Sequence, residues 1–150
     1  MAEHTELLSQ LVAINSINPD LVQGGAGEVE IARFIARWLE SSGLEVSVEE
    51  PVNGRPSVVG VARGAGGGRS LMLNAHVDTV GTDGMERPHQ PRVENGRLYG
   101  RGAYDMKSGL AAIMLAGRRA AQAHLAGDVI VTCVADEEVA SLGTEAVLRK

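Results

Sequence analysis

Along the first forty residues the apolar positions recur every three or four places, and after that they begin to alternate. Leu7, Leu8, Leu11 and Val12 follow Thr5, a residue suited to an N-cap, and the pattern breaks at Asn15-Ser16-Ile17-Asn18-Pro19. This predicts a first amphipathic helix. After Gly24-Gly25, the positions Val29, Ile31, Ala32, Phe34, Ile35, Trp38 and Leu39 predict a second, longer helix closed by Gly43 as its C-cap. Trp38 lies on its apolar stripe and is expected in the core. Leu44 to Glu49 alternates as a half-buried strand should, and Ser57 to Ala62 reads as a second strand. The glycine run Gly64 to Gly68 then reads as a flexible hairpin leading into a strand that ends at His76. From Met106, the residues Leu110, Ile113, Met114, Leu115 and Ala116 predict an Ala-rich helix reaching about His124. Val129 to Ala135 is almost continuously apolar, as expected of a parallel or central strand covered on both faces. A last helix begins near Leu142-Gly143-Thr144.

Composition narrows the class. With 150 residues, 44% of them hydrophobic and 22% charged, the chain falls in the range of one globular domain rather than a disordered one. Nineteen acidic against fourteen basic residues give a net charge of −5, and no Lys/Arg run forms the positive stripe of a nucleic-acid binder. The N-terminal Met-Ala-Glu-His-Thr-Glu carries acids where a signal peptide needs bases, and no apolar stretch approaches the roughly 20 residues that span a bilayer. The expectation is a cytoplasmic protein with no membrane partner. Cys133, the single cysteine, lies in a β-branched run and reads as a buried structural thiol.

Two apparent nucleotide signals fail on context. The Gly64 to Gly68 run leads into a strand, whereas a dinucleotide fingerprint opens a helix. Gly100-Arg101-Gly102…Lys107-Ser108 has Met106 where a P-loop requires glycine.

The remaining chemistry is acidic and lies at strand ends: His76-Val-Asp78, Asp105 at a loop-to-helix junction, and Asp136-Glu137-Glu138 after the apolar strand. Ligands of open α/β sheets bind outside the carboxyl ends of strands, so these three motifs can meet at one edge. One histidine among carboxylates suits zinc, manganese or cobalt and lacks the thiolates of most closed structural zinc sites. His76 and Asp78 are two apart and share a side in extended chain, which lets Asp78 fix the imidazole tautomer. Glu137 and Glu138 are adjacent, and extended backbone would send them to opposite sides, one to metal and one to water. The long Gly- and Pro-rich stretch from Thr82 to Gly96, with a turn at Glu94-Asn95-Gly96, is expected as a loop beside the site.

Leu-Asn-Ala-His76-Val-Asp78-Thr-Val, Leu-Tyr-Gly-Arg-Gly-Ala-Tyr-Asp105-Met-Lys-Ser-Gly and Ala-Asp136-Glu137-Glu138-Val-Ala-Ser-Leu-Gly143 closely resemble the M20 metallopeptidases, the acetylornithine deacetylase and succinyl-diaminopimelate desuccinylase group. The resemblance runs across the whole chain. It implies a zinc-exopeptidase-like three-layer αβα sandwich with a mostly parallel mixed sheet, incomplete in this chain. It also implies two divalent ions, Zn2+ first with Co2+ or Mn2+ as substitutes. His76 would be a ligand of one ion, Glu138 of the other, Asp105 the bridging carboxylate, Glu137 the general base and Asp78 the partner of His76. A cis peptide between Asp105 and Met106 is implied as well.

The implied reaction is metal-assisted hydrolysis of an N-acyl amino acid or small peptide, with Glu137 taking a proton from water and returning it to the departing amine. The family pattern needs two further ligands, an acidic residue and a histidine, and a dimerising lid domain, none of which falls within residues 1–150. His4 and His124 are badly placed to substitute, and His89 is the remaining candidate. The expectation is therefore the N-terminal portion of a catalytic domain, homodimeric at full length through the lid. The competing expectation is a truncated metal-binding fragment, inactive without the rest of the chain.

Overall fold

The structure, a computed structural model, describes residues 2–149. Helix α1 spans Glu3–Ala13 and α2 Val29–Ser41, followed by strands β1 (Glu45–Glu49), β2 (Ser57–Ala62) and β3 (Leu71–His76). A small hairpin of β4 (Arg92–Glu94) and β5 (Arg97–Tyr99) precedes α3 (Lys107–Gln122), β6 (Val129–Val134) and α4 (Leu142–Leu148). The start of α1 departs from expectation. Its N-cap is Ala2, whose carbonyl accepts from Thr5 N and Glu6 N, so Thr5 lies inside the helix rather than capping it. Glu3 and Glu6 in the first turn suit the positive end of the helix dipole.

The main sheet has the order β1-β2-β6-β3, with β1–β2 and β2–β6 antiparallel and β3–β6 parallel. The sheet is mixed, as expected, and only the β3–β6 ladder in it is parallel. β6 is central, which accounts for its apolar run. The Gly64 to Gly68 segment is not a hairpin, because β6 lies between β2 and β3. It is pinned to the turn between α3 and β6: Ala65 N donates to Leu125 O and Gly66 N to Ala126 O. The chains approach so closely that a Cβ on Gly127 would stand 2.0 Å from Arg69 O. Asn95 and Gly96, both at positive φ, make the two-residue turn joining β4 and β5.

α2 and α3 pack on one face of the sheet, and α1 packs against α3. Leu11, Ile31, Ile35, Leu39, Leu110 and Met114 pack there with Val58, Val131 and Cys133. Trp38 is only half-buried at the margin of this core, where the Arg118 guanidinium stacks on its ring at 5.1 Å. α4 contacts β1, β2 and β6, and its buried Val147 stands outside that core cluster, so the second face is covered less completely. The C-terminal end of α1 is closed by distant residues. Lys107 Nζ donates to Leu11 O at 3.0 Å and Ile14 O at 2.7 Å, and His89 bonds the Val12 main chain. Among the described residues no helix is long and apolar enough to cross a membrane.

Candidate metal centre

The parallel ladder sets the site. β3 and β6 run together with His76 opposite Val134, so His76 and the segment after Val134 leave the sheet at the same carboxyl edge. Val77 N still donates to Val134 O at 2.9 Å, which carries the pairing one residue further. Asp78 then lies beside the Asp136-Glu137-Glu138 turn.

Asp78 is buried and organises its neighbours. Its Oδ1 accepts from Glu137 N at 3.0 Å, and its Oδ2 accepts from Glu138 N at 3.1 Å and from Asn18 Nδ2 at 2.8 Å. Burial pushes the Asp78 carboxyl up, but His76 and these donors outweigh it and hold it below the ordinary carboxylate value. His76 Nδ1 lies 3.0 Å from Asp78 O and 3.4 Å from Asp78 Oδ1. An Nδ1–H directed at that carbonyl leaves Nε2 facing the acids, so the expected tautomer control runs mainly through the Asp78 main chain.

Nε2 of His76 stands 3.1 Å from Asp105 Oδ1 and 3.7 Å from Glu137 Oε2. His76, Glu137 and Glu138 each offer a ligand atom, all within 4.8 Å of one another. The two glutamates therefore do not diverge as extended backbone would require. Asp136 is left-handed at φ +65° and begins a turn, so Glu137 and Glu138 both approach His76. Asp105 reaches the group from the segment before α3, through a cis Asp105–Met106 peptide. Gly102 at φ +78° is required there, because a Cβ would stand 2.9 Å from Thr79 Cγ2 and 3.0 Å from Lys107 Cδ.

The electrostatics fit a divalent cation. Burial pushes the His76 imidazole down, yet Asp78, Asp105 and Glu137 overcome this and raise it to about 9. The Glu138 carboxyl is pushed up, by burial first and by Asp105, Asp78 and Glu137 against the relief from His76. Oxygen donors and one imidazole, crowded and mutually repelling, are the donor set that Zn2+, Co2+ or Mn2+ would stabilise.

The other candidates do not join this group. His89 turns to the end of α1, His4 Nε2 pairs with Ser108 O at 3.0 Å, and His124 follows α3 in a turn at φ +47°. Cys133 is fully buried, and its thiol is pushed up to about 12. Part of the stretch expected as a plain loop carries the β4–β5 hairpin.

Three residues without an assigned role emerge behind the site. Asn18 bridges Asp78 to Asp136, donating to Asp136 Oδ1 at 3.1 Å, and Arg55 Nη2 donates to the same oxygen at 2.5 Å. Only burial marks them. In the sequence Asn18 belongs to a helix-breaking run, Asp136 to an acidic turn, and Arg55 to a turn between Asn53-Gly54 and Pro56.

Comparison with known proteins identifies relatives of the chain in sequence and in structure. The chain is 36% identical over 151 residues to the N-formyl-4-amino-5-aminomethyl-2-methylpyrimidine deformylase of Bacillus subtilis, covering 95% of this chain and 35% of that protein. It is 35% identical over 139 residues to the succinyl-diaminopimelate desuccinylase of Leptothrix cholodnii, covering 88% and 35%. The chain thus spans about a third of the length of these curated relatives. The solved M20 family metallo-carboxypeptidase of Sulfolobus solfataricus superposes with a TM-score of 0.82 at 25% identity, over 99% of this chain and 34% of that one. The model of peptidase family M20/M25/M40 matches residues 72–150, from the His76 strand to the last residue. With more than half of its length under that match, the chain belongs to peptidase family M20/M25/M40.

Proposed function

We propose that the protein carrying this chain is a metal-dependent hydrolase of the amide bond in N-acyl amino acids, of deacetylase or desuccinylase type, or in small peptides. The observation that carries the reading is the convergence of ligand atoms of His76, Glu137 and Glu138 within 4.8 Å of one another, with Asp105 Oδ1 3.1 Å from His76 Nε2. His76 and Glu138 would each hold one of two divalent ions, Zn2+ in the first place, and Asp105 would bridge them. Bound there, the ions supply Lewis acidity that acidifies a water and polarises an amide carbonyl.

The chain's own residues do the rest. Asp78 orients His76 and receives the main-chain N–H groups of both glutamates, which fixes where their carboxylates stand. The Glu137 side chain is half exposed and so can exchange protons with a water and a leaving group. Glu137 takes the proton of the attacking water and delivers it to the departing amine, a transfer that contributes about 10²–10⁴-fold. The two remaining ligands and the lid that makes a cytoplasmic homodimer would belong to sequence outside these 150 residues. On this reading residues 1–150 by themselves turn nothing over. They also associate, because β3 has no partner on its outer edge among the described residues, and Leu71 and Met72 are exposed on it.

The test is a chelator-stripped protein assayed on acetyl-, succinyl- and formyl-amino compounds and dipeptides, with Zn2+, Co2+ or Mn2+ restored. Hydrolysis that returns only with metal supports the reading. Full hydrolysis after stripping would refute it. A monomeric 150-residue chain with measurable turnover would overturn the assignment of the missing ligands.

A further inference from the structure

A largely buried ionic network stands behind the candidate metal centre, reaching solvent at Asp20. Its hub is Arg55, which is nearly inaccessible and makes three charged contacts. Nη1 meets Asp20 Oδ2 at 2.5 Å, Nε meets Glu28 Oε2 at 2.9 Å, and Nη2 meets Asp136 Oδ1 at 2.5 Å. Glu28 and Asp136 are both fully buried. The fork of one guanidinium thus ties the loop before α2 to the segment leaving β6.

The Asp136 arm leads directly into the acidic turn of the site. Asp136 is the left-handed residue that opens the acidic turn, and its carboxylate and main-chain carbonyl are engaged within that turn or with the network. Its main-chain O accepts from Ala140 N at 3.2 Å and Ser141 N at 2.5 Å, and its Oδ2 accepts from Leu142 N at 3.4 Å. Its Oδ1 is shared by Arg55 and Asn18. The Asn18 amide is oriented by Asp20 N, which donates to its Oδ1 at 3.0 Å, so Nδ2 is left to donate to Asp78 and Asp136 together. Asn18 is itself fixed by its main chain, through Asn18 N to Thr79 O at 2.9 Å and Thr79 N to Ser16 O at 3.0 Å.

We propose that Arg55 and Asn18 are positioning residues of the metal centre: Arg55 clamps Asp136 at the start of the acidic turn, and Asn18 locks Asp136 to Asp78, so the Glu137 and Glu138 carboxylates are held toward His76. The inference rests on the metallohydrolase reading for its consequence and on the hydrogen-bond geometry for its substance. Asp78 and Asp136 are two buried carboxylates brought to one amide, an arrangement that needs a donor between them and a cation behind them. Asn18 is the donor and Arg55 the cation. Lysine in place of Arg55 keeps the charge but presents no planar fork to three acids at once.

The experiment compares wild type, Arg55→Lys and Asn18→Ser in the protein carrying this chain. Site-resolved amide hydrogen exchange is measured on metal-free samples, and Zn2+ affinity by chelator competition. The Glu137 and Glu138 amides, which donate to Asp78, are expected to exchange at least tenfold faster in both variants, with β6 amides unchanged. Zn2+ affinity is expected to fall by about 10–100-fold, the usual effect of losing groups that orient ligands. Wild-type exchange at both amides would overturn the proposal. So would a loss of protection spread equally over β6, which would make Arg55 and Asn18 general supports of the fold. If Arg55→Lys does not fold, Asn18→Ser decides alone, since it leaves the ion cluster in place. Failure of the wild type to bind Zn2+ would count against the proposed function, while the exchange measurement would still decide the clamp.

Discussion

His76 and Lys107 are both buried, and both carry a positive charge when protonated, yet their surroundings move them in opposite directions. Burial alone pushes each toward the neutral form. Lys107 finds only main-chain carbonyls at the end of α1, and its ammonium is pushed down to about 7. His76 finds Asp78, Asp105 and Glu137, which reverse the effect of burial and raise the imidazole to about 9. Cys133 is the limiting case, buried with nothing to offset it and pushed up to about 12. Carbonyl dipoles satisfy hydrogen bonds without replacing the hydration of a full charge, whereas carboxylates do replace it. The same acids that hold a proton on His76 would hold a cation in its place.

The sharpest way to test the acidic side of this comparison separates its two glutamates. Glu137→Gln is expected to lower turnover by about 10²–10⁴-fold with metal content nearly unchanged, and Glu138→Gln to lose metal. The reverse pattern in metal analysis would exchange their roles. A smaller effect follows from His76 in the metal-free protein. Its folded pKa lies above its unfolded value of about 6.5, so its stabilisation is fully present below about 6.5 and is lost as pH rises through about 9. Denaturant titrations of metal-free protein should lose on the order of 3 kcal/mol from this group between those limits, and Zn2+ uptake at pH 7 should release a proton, read from the buffer dependence of the binding heat. A binding heat at pH 7 that is the same in buffers of different ionisation enthalpy would break the comparison.

Lys107 gives the opposite sign. Its folded pKa of about 7 is below the unfolded value of about 10.5, so the unfolded chain binds the extra proton between them and stability rises with pH across that window. Lys107→Met should remove this rise and, at pH 9, lower stability by about 2 kcal/mol because Leu11 O and Ile14 O lose their donor. A Lys107→Met protein whose stability still climbs from pH 7 to pH 10 would refute the assignment. The smallest effect concerns Cys133. Alkylation of the native protein at pH 8 should leave it unmodified until global unfolding, as mass spectrometry would detect.

Much of the fold was legible because its signals are local. The strands Ser57–Ala62 and Leu71–His76 and the helix Val29–Ser41 fall where periodicity places them, with Gly43 at positive φ after the helix. The motifs of the site were legible too, because each is short and each follows a strand or precedes a helix. Errors arose where a residue's neighbours lie far along the chain. The glycine run looked like a hairpin because nothing local says that β6, sixty residues on, inserts between β2 and β3. Glu137 and Glu138 were expected to diverge because the left-handed Asp136 is stabilised by Arg55 and Asn18, which are 81 and 118 residues away. Lys107 carries no sequence mark of a helix cap, since the carbonyls it serves are more than ninety residues earlier.

What the sequence determined by itself is the set of elements and the identity of the chemical groups, since hydrophobic period and side-chain type act within a few residues. The tertiary structure alone decided how those groups are charged and aimed. Burial, counter-charge and hydrogen-bond direction are sums over neighbours that only the folded chain assembles. His76 became a high-pKa imidazole, Lys107 a low-pKa amine and Arg55 the hub of an ion network through that assembly; its motif marks His76 in the sequence but not its charge state, and nothing local marks Lys107 or Arg55 for these roles.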